Sequence, residues 1–195
     1  MLLTELGESR GTRLAYNDGM LEIMSPLLPH EHTKRLLEKF VDVLCEELKL
    51  NIRSAGSLTS KRKQLEKGIE PDSAFYIQNE PLVRHNENID FEVDPPPDLM
   101  IEVDFSSSSL PKEPIYLALQ IPEVWRFHQG RLTIKGLVDG EYVEKTESLA
   151  FPGLPLAQKL PELIEQSLVV GESQVMRSFR EWVRSHLSDK LQHDD

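Results

Sequence analysis

The chain has 195 residues, a 39% apolar fraction, a net charge of −11 and a pI near 5.1. This bounds it to one domain with its own core and argues against both a disordered chain and a protein that coats nucleic acid. The single cysteine, Cys45, excludes an intrachain disulfide and a cysteine-rich zinc site, and fits a reducing, cytoplasmic setting. No apolar run reaches the roughly 18 residues of a membrane span, and the polar start MLLTELGESRGTR does not read as a signal peptide.

The first element is a hairpin. TRLAYNDGMLEIMSP holds two short alternating runs around Asn17-Asp18-Gly19, a strong turn signal, and Ser25-Pro26 ends it. From residue 30 to about 50 the period changes: Leu36, Leu37, Phe40, Val41, Leu44 and Leu48 recur at helical spacing, so an amphipathic helix follows. Cys45, beside its core face, reads as a small buried hydrophobe. Two strands joined by a polar loop come next, the second opening at Pro71-Asp72. Period two puts Asp72, Ala74 and Tyr76 on one face, and Ser73, Phe75 and Ile77 on the other.

Residues 81–97 read as a charged, Pro-ended loop with a short extended piece at IDFEV. The strand DLMIEVD follows, then a serine run and a short helix over about 112–120, with Pro111 and Pro114 near its start. EVWRFH, RLTIKGLV and EYVEKTE are expected as antiparallel strands, turning at Gly130 and at Asp139-Gly140. Two helices, about 161–168 and 172–187, close the chain. Phe179, Trp182 and Val183 lie on the core face of the last one, and Arg177, Arg180 and Arg184 on its solvent face. The expected organisation is a single domain over residues 1–188 with a disordered tail over 189–195.

The strand DLMIEVD carries the chemistry. Asp98, Glu102 and Asp104 stand at even offsets, so all three carboxylates point to one face. Unpaired buried carboxylates are costly, so such a face calls for a cation. Asp72 opens a second strand; if the two strands are neighbours, Asp72 and Glu102 can share one divalent ion. Lys112 begins the next element and can reach back over the strand end. Asp98 and Asp104 read as support or as strand-end solvation. Glu31, at the start of the long helix, is either an outer ligand through water or an acid placed for the helix dipole. The run Lys61, Arg62, Lys63 is either a solvated loop or a phosphate contact ahead of the Asp72 strand.

Pro-Asp, a later acid and a lysine form the skeleton of the PD-(D/E)XK nucleases. A longer resemblance sharpens this. The segments DGMLEIMSP, HEHTKRLLEKF, GIEPDSAFYI and PPPDLMIEVDFSSSSLPKEPIYLALQIPEVWRF together resemble the Uma family of restriction-endonuclease-like proteins, from about residue 12 to about 155. The resemblance implies an α/β, restriction-endonuclease-like mixed β-sheet flanked by α-helices, and metal-dependent DNA cleavage with Mg²⁺ or Mn²⁺. It places the family's acids on Asp72 and Glu102, and a supporting residue on His30 or Glu31. The lysine departs from the simple motif: the position two after Glu102 is Asp104, and the matching lysine is displaced to Lys112, four residues before Tyr116. Lys112 is therefore either the catalytic cation or an ordinary helix-start cation.

The expected function is a DNA endonuclease, working as a homodimer, in which metal-activated water attacks a phosphodiester. The alternative is a non-catalytic interaction module that keeps the nuclease fold, which the charge of −11 favours. An enzyme for a small phosphorylated compound lacks the glycine-rich cradle it would need.

Overall fold

The computed structural model describes residues 13–17, 20–24, 27–57, 60–62, 67–105 and 111–193. Two strands, β1 (Arg13–Asn17) and β2 (Met20–Met24), pair antiparallel with Asn17 opposite Met20, the register a two-residue turn demands. Helix α1 (Leu28–Leu48) starts two residues earlier than expected. Pro29 is tolerated there because a first-turn N–H has no intrahelical partner to lose. The helix ends at Lys49, whose left-handed φ of 57° lets the Lys49 and Leu50 amides close back on Glu46 and Cys45.

Strands β3 (Arg53–Gly56), β4 (Ser60–Arg62), β5 (Lys67–Ile69) and β6 (Ser73–Tyr76) follow. Here the expectation needs correction: residues 60–62 are a strand rather than a loop, and Pro71 and Asp72 precede β6 rather than open it. The segment expected as loop carries a one-turn helix α2 (Glu80–Val83), and the expected extended piece at residues 89–93 is a set of turns. Strand β7 (Leu99–Asp104), helix α3 (Glu113–Leu119), strands β8 (Glu123–His128), β9 (Arg131–Val138) and β10 (Glu141–Lys145), and helices α4 (Leu156–Val170) and α5 (Glu172–His193) complete the chain. Helix α4 begins five residues ahead of Pro161, which forfeits one interior hydrogen bond. Helix α5 runs on to His193, through residues expected as a tail.

The main sheet has six strands in the order β10-β9-β8-β7-β6-β3. Every neighbouring pair is antiparallel except β7 and β8, which are joined by the α3 crossover and run parallel. It is a mixed sheet with helices packed on it, the α/β architecture expected. β1, β2, β4 and β5 form a separate four-stranded sheet in the order β2-β1-β5-β4, which the sequence did not announce.

The period-two pattern of β7 sorts the protein into two cores. Leu99, Ile101 and Val103 join Trp125, Phe127, Leu132 and Ile134 against α1, α4 and α5 in the larger core. Met100 and Val124 face the other way, into a smaller cluster with Ile115, Tyr116 and Leu119 of α3 and with Ala15 and Ile69 of the small sheet. Burying each of the large apolar side chains contributes roughly 1.5–3 kcal/mol, and this fixes the register of β7 against any one-residue slip. Cys45 lies in the larger core, where burial pushes its thiol up to about 12, so it is inert packing.

Candidate active site

The register that buries Ile101 and Val103 forces Glu102 and Asp104 to the α3 side. All six residues of β7 are buried, the two acids included. Ser73 pairs with Ile101, so one further step along the antiparallel register sets Asp72 against Glu102. Strand β6 does not extend that far. Instead the Asp72 carboxylate takes over the ladder: its Oδ2 accepts the Val103 N–H at 2.8 Å. The same oxygen lies 3.1 Å from His30 Nε2, and since a carboxylate can only accept, the imidazole donates there. His30 is held by the first turn of α1 and is itself buried.

Lys112 comes from the residue that caps α3. A cation at a helix N-terminus is disfavoured by the helix dipole, so its place calls for an offsetting partner. Its ammonium turns back over β7 and bonds Glu102 Oε2 at 2.5 Å, with Asp104 Oδ1 at 3.7 Å. The Lys112 side chain is only 15% exposed and is held by Glu102 rather than left in solvent. Asp104 in turn holds Arg126 of β8, Nε to Oδ2 at 2.8 Å.

Two oxygens in this cluster are left over. Asp72 Oδ1 and Glu102 Oε1 are buried without a hydrogen-bond partner. The Tyr116 hydroxyl, also buried and without a bond of good geometry, stands close enough to the Glu102 carboxylate to favour its charged form. The electrostatics follow. Burial, partly offset by the Lys112 ammonium and reinforced by the Asp72 charge, pushes Glu102 up to about 7. Burial alone would lower Lys112, but the Glu102 and Asp104 charges outweigh it and hold it above the ordinary lysine range. Burial would likewise lower His30; the Asp72 bond and charge, together with Glu31, turn the net shift upward.

Glu102, Asp104, Lys112, Tyr116 and Arg126 line a cleft of about 470 Å³ together with Lys135 of β9 and Tyr142 of β10. Each cation in it is paired with an acid: Lys112 with Glu102, Arg126 with Asp104, and Lys135 with Glu113 at 2.9 Å.

The structure thus brings together Asp72, Glu102, Lys112 and His30. Among the described residues Glu31 meets the cluster at His30, its Oε1 lying 3.4 Å from Nδ1. The backbones of Lys61 and Arg62 form β4 in the small sheet, and Lys63 lies outside the described residues. Asp98 is no part of the cluster: it accepts the Ile77 and Asn79 amides and the Asn79 side chain, pinning the chain ahead of β7. Two residues of the cluster were not assigned to it from sequence: Tyr116, which served only to locate Lys112, and Arg126. The first stands one helical turn beyond Lys112 on α3. The second is set by the parallel register of β7 and β8, which opposes Glu102 and Arg126 and leaves no trace in sequence.

Whether the donors fit a divalent ion can be judged from the orphaned oxygens. Among the described residues no group of three or more His, Cys, Asp and Glu side chains is placed to hold a metal. Mg²⁺, however, is commonly held by one or two carboxylates and keeps several waters. One free oxygen on each of two opposed, buried carboxylates fits that requirement.

A family profile matches residues 2–168, for Uma2, described as "Putative restriction endonuclease". The chain belongs to the Uma2 family. A solved structure from Anabaena variabilis, described as "a putative nuclease belonging to DUF820", shares its fold. The two align over 83% of this chain and 96% of that one, with a TM-score of 0.54 and 16% identity. No curated protein matches the chain. The Uma2 fold expected from the resemblance is therefore the fold observed. No helix among the described residues is long and apolar enough to cross a membrane.

Proposed function

We propose that this Uma2 protein is a metal-dependent DNA endonuclease that hydrolyses phosphodiester bonds, with Asp72 and Glu102 as metal ligands and Lys112 as the catalytic cation. The observation that carries the reading is the pair of unpartnered oxygens, Asp72 Oδ1 and Glu102 Oε1, buried on residues that the β6–β7 register sets opposite each other, with Lys112 bonded to Glu102. An oxygen of that kind costs about 1–3 kcal/mol to bury, and more when charged, a cost that a divalent ion on both oxygens would offset.

Mg²⁺ or Mn²⁺ bound there would neutralise charge on the phosphoryl oxygens and supply an activated water. The chain's own residues do the rest. His30 and the Val103 amide fix one Asp72 oxygen and so aim the other. Lys112 stays protonated because two acids face it, and presents a fixed positive charge where negative charge develops in the transition state. Cutting both strands calls for two such sites, so a homodimer in a reducing, cytoplasmic compartment is the expected form.

Plasmid cleavage tests this. The protein should nick or linearise DNA with Mg²⁺ or Mn²⁺, stop on addition of chelator, and fail when Asp72→Ala is used. Absence of metal-dependent cleavage by the wild type under all these conditions would favour the non-catalytic module. The charge of −11 and the internal pairing of every cation in the cleft support that second reading.

A further inference from the structure

The lysine of the simple motif would sit on β7 two residues after Glu102. That place holds Asp104, and its surroundings are unusually specific. Asp104 points to the same face as Glu102 and is buried. Its Oδ2 is fixed by Arg126 at 2.8 Å, and its backbone carbonyl accepts the His128 ring at 3.0 Å. With Oδ2 held, Oδ1 is aimed at the Lys112 ammonium, 3.7 Å away, while that ammonium rests on Glu102 Oε2 at 2.5 Å. The ammonium thus stands between two carboxylates, bonded to one and about an ångström too far from the other.

Metal binding at Asp72 and Glu102 creates a conflict in this arrangement. A divalent ion there would be brought against a lysine already bonded to Glu102. An ion on Glu102 Oε1 would share that carboxylate with the ammonium on Oε2; the two positive charges repel, which favours the second acceptor within the ammonium's reach, Asp104 Oδ1.

Given the nuclease reading of the site, on which the inference rests, we propose that Asp104 is a positioning residue. It takes the Lys112 ammonium from Glu102 when a divalent ion binds, and holds it over the end of β7. Asp104 thereby returns the displaced lysine's charge to the place an in-strand lysine would have given it. Arg126 makes this workable: it fixes Asp104 before the transfer and, being 46% exposed, can turn to solvent when Asp104 takes the lysine.

The test is a double-mutant cycle on Mn²⁺ affinity, read by thermal shift with Mn²⁺ as the only ligand and no DNA present. Asp104→Asn keeps shape and removes the acceptor charge. In the wild-type background it should weaken Mn²⁺ binding about tenfold, because Lys112 is left on Glu102 as a competitor. In the Lys112→Ala background, where nothing needs to be moved, the same change should weaken it by less than about twofold. Equal losses in both backgrounds would mean that Asp104 acts only through its own charge, and would overturn the transfer.

Should Asp104→Asn fail to fold, the swap Asp104→Lys with Lys112→Ala decides. It should cut plasmid DNA at least about tenfold faster than Lys112→Ala alone, the scale of one positioned charge. A folded swap that stays at the Lys112→Ala level overturns the inference. If the wild type binds Mn²⁺ and cuts but the cycle is additive, only the Asp104 role fails. If the wild type neither binds nor cuts, the nuclease reading fails and takes this one with it.

Discussion

Four of the buried carboxylates among the described residues fall into two pairs in opposite conditions. Asp98 and Glu123 have every oxygen bonded. Asp98 accepts two backbone amides and the Asn79 side chain. Glu123 accepts Trp125 Nε1 at 2.5 Å, Ser148 Oγ at 2.6 Å and the Leu149 and Ala150 amides, tying β8 to the loop that leads into α4. Asp72 and Glu102 are just as deeply buried, yet each keeps one oxygen with no partner. Burial of an acid therefore does not mark a site in this fold. What separates the two pairs is whether the protein itself completes the carboxylate's bonds. It completes them for the pair that holds the chain together and leaves them open for the pair beneath Lys112.

That contrast can be broken most forcefully at the open pair. Asp72→Ala or Glu102→Ala should reduce DNA cleavage on the order of 10³-fold or more and remove stabilisation by Mg²⁺, with the fold retained. Gel-based plasmid cleavage and thermal shift measure the two together. Lys112→Ala comes next: cleavage should fall on the order of 10²–10³-fold, while Mn²⁺-induced stabilisation survives or grows, since a competing cation has been removed. Loss of metal binding in that variant would show that Lys112 builds the site rather than acts in it.

The closed pair should respond in stability instead. Glu123→Ala leaves the Trp125 indole, the Ser148 hydroxyl and two amides unpaired, so urea unfolding should show a loss of about 3–4 kcal/mol. Cleavage per folded molecule should stay unchanged; a large fall in it would erase the distinction between the pairs.

Sequence alone went far with one half of this and not with the other. The period of two in LMIEVD and in SAFY sorted which residues share a face, and the spacing of Leu36, Phe40 and Leu44 gave α1 one core face; which side of the sheet α1 and α3 cover came only from the structure. Asp72, Glu102 and Lys112 were reached through the family resemblance, because a Pro-Asp, an acid on an alternating strand and a lysine at a helix start are each weak signals alone. The small sheet was not, because β4 and β5 are three residues each, too short to show a period. Nor could sequence tell closed acids from open ones. Glu123 opens EVWRFH as Asp98 opens DLMIEVD, and the partners that complete Glu123 at Ser148, Leu149 and Ala150 lie 25 to 27 residues on. The Asp104–Arg126 pair depends on the parallel register created by the α3 crossover, 22 residues apart in the chain.

The smallest expected effect sharpens the comparison through pH. Glu102 is raised from 4.5 to about 7, chiefly by burial, so the folded protein binds its proton more tightly than the unfolded chain does. The stability this contributes is present below pH 4.5 and is lost as pH rises through about 7, at most about 3 kcal/mol in metal-free protein. His30, raised from 6.5, acts in the same direction at the upper end of that range. Glu102→Gln should therefore gain stability relative to the wild type between pH 5 and pH 8 in chelator, measured by urea midpoints. An unchanged difference across that range would mean that Glu102 is not held as an uncompensated acid.

The central claim is that Asp72 Oδ1 and Glu102 Oε1 are open because one divalent ion closes them. Anomalous diffraction from crystals grown with Mn²⁺ addresses this at the atoms concerned. The account predicts a single strong peak within about 2.0–2.3 Å of both oxygens, the range for a hard divalent ion on carboxylates, with the Lys112 ammonium shifted off Glu102. A fully occupied Mn²⁺ peak elsewhere, or none while Lys112 remains on Glu102, would contradict it.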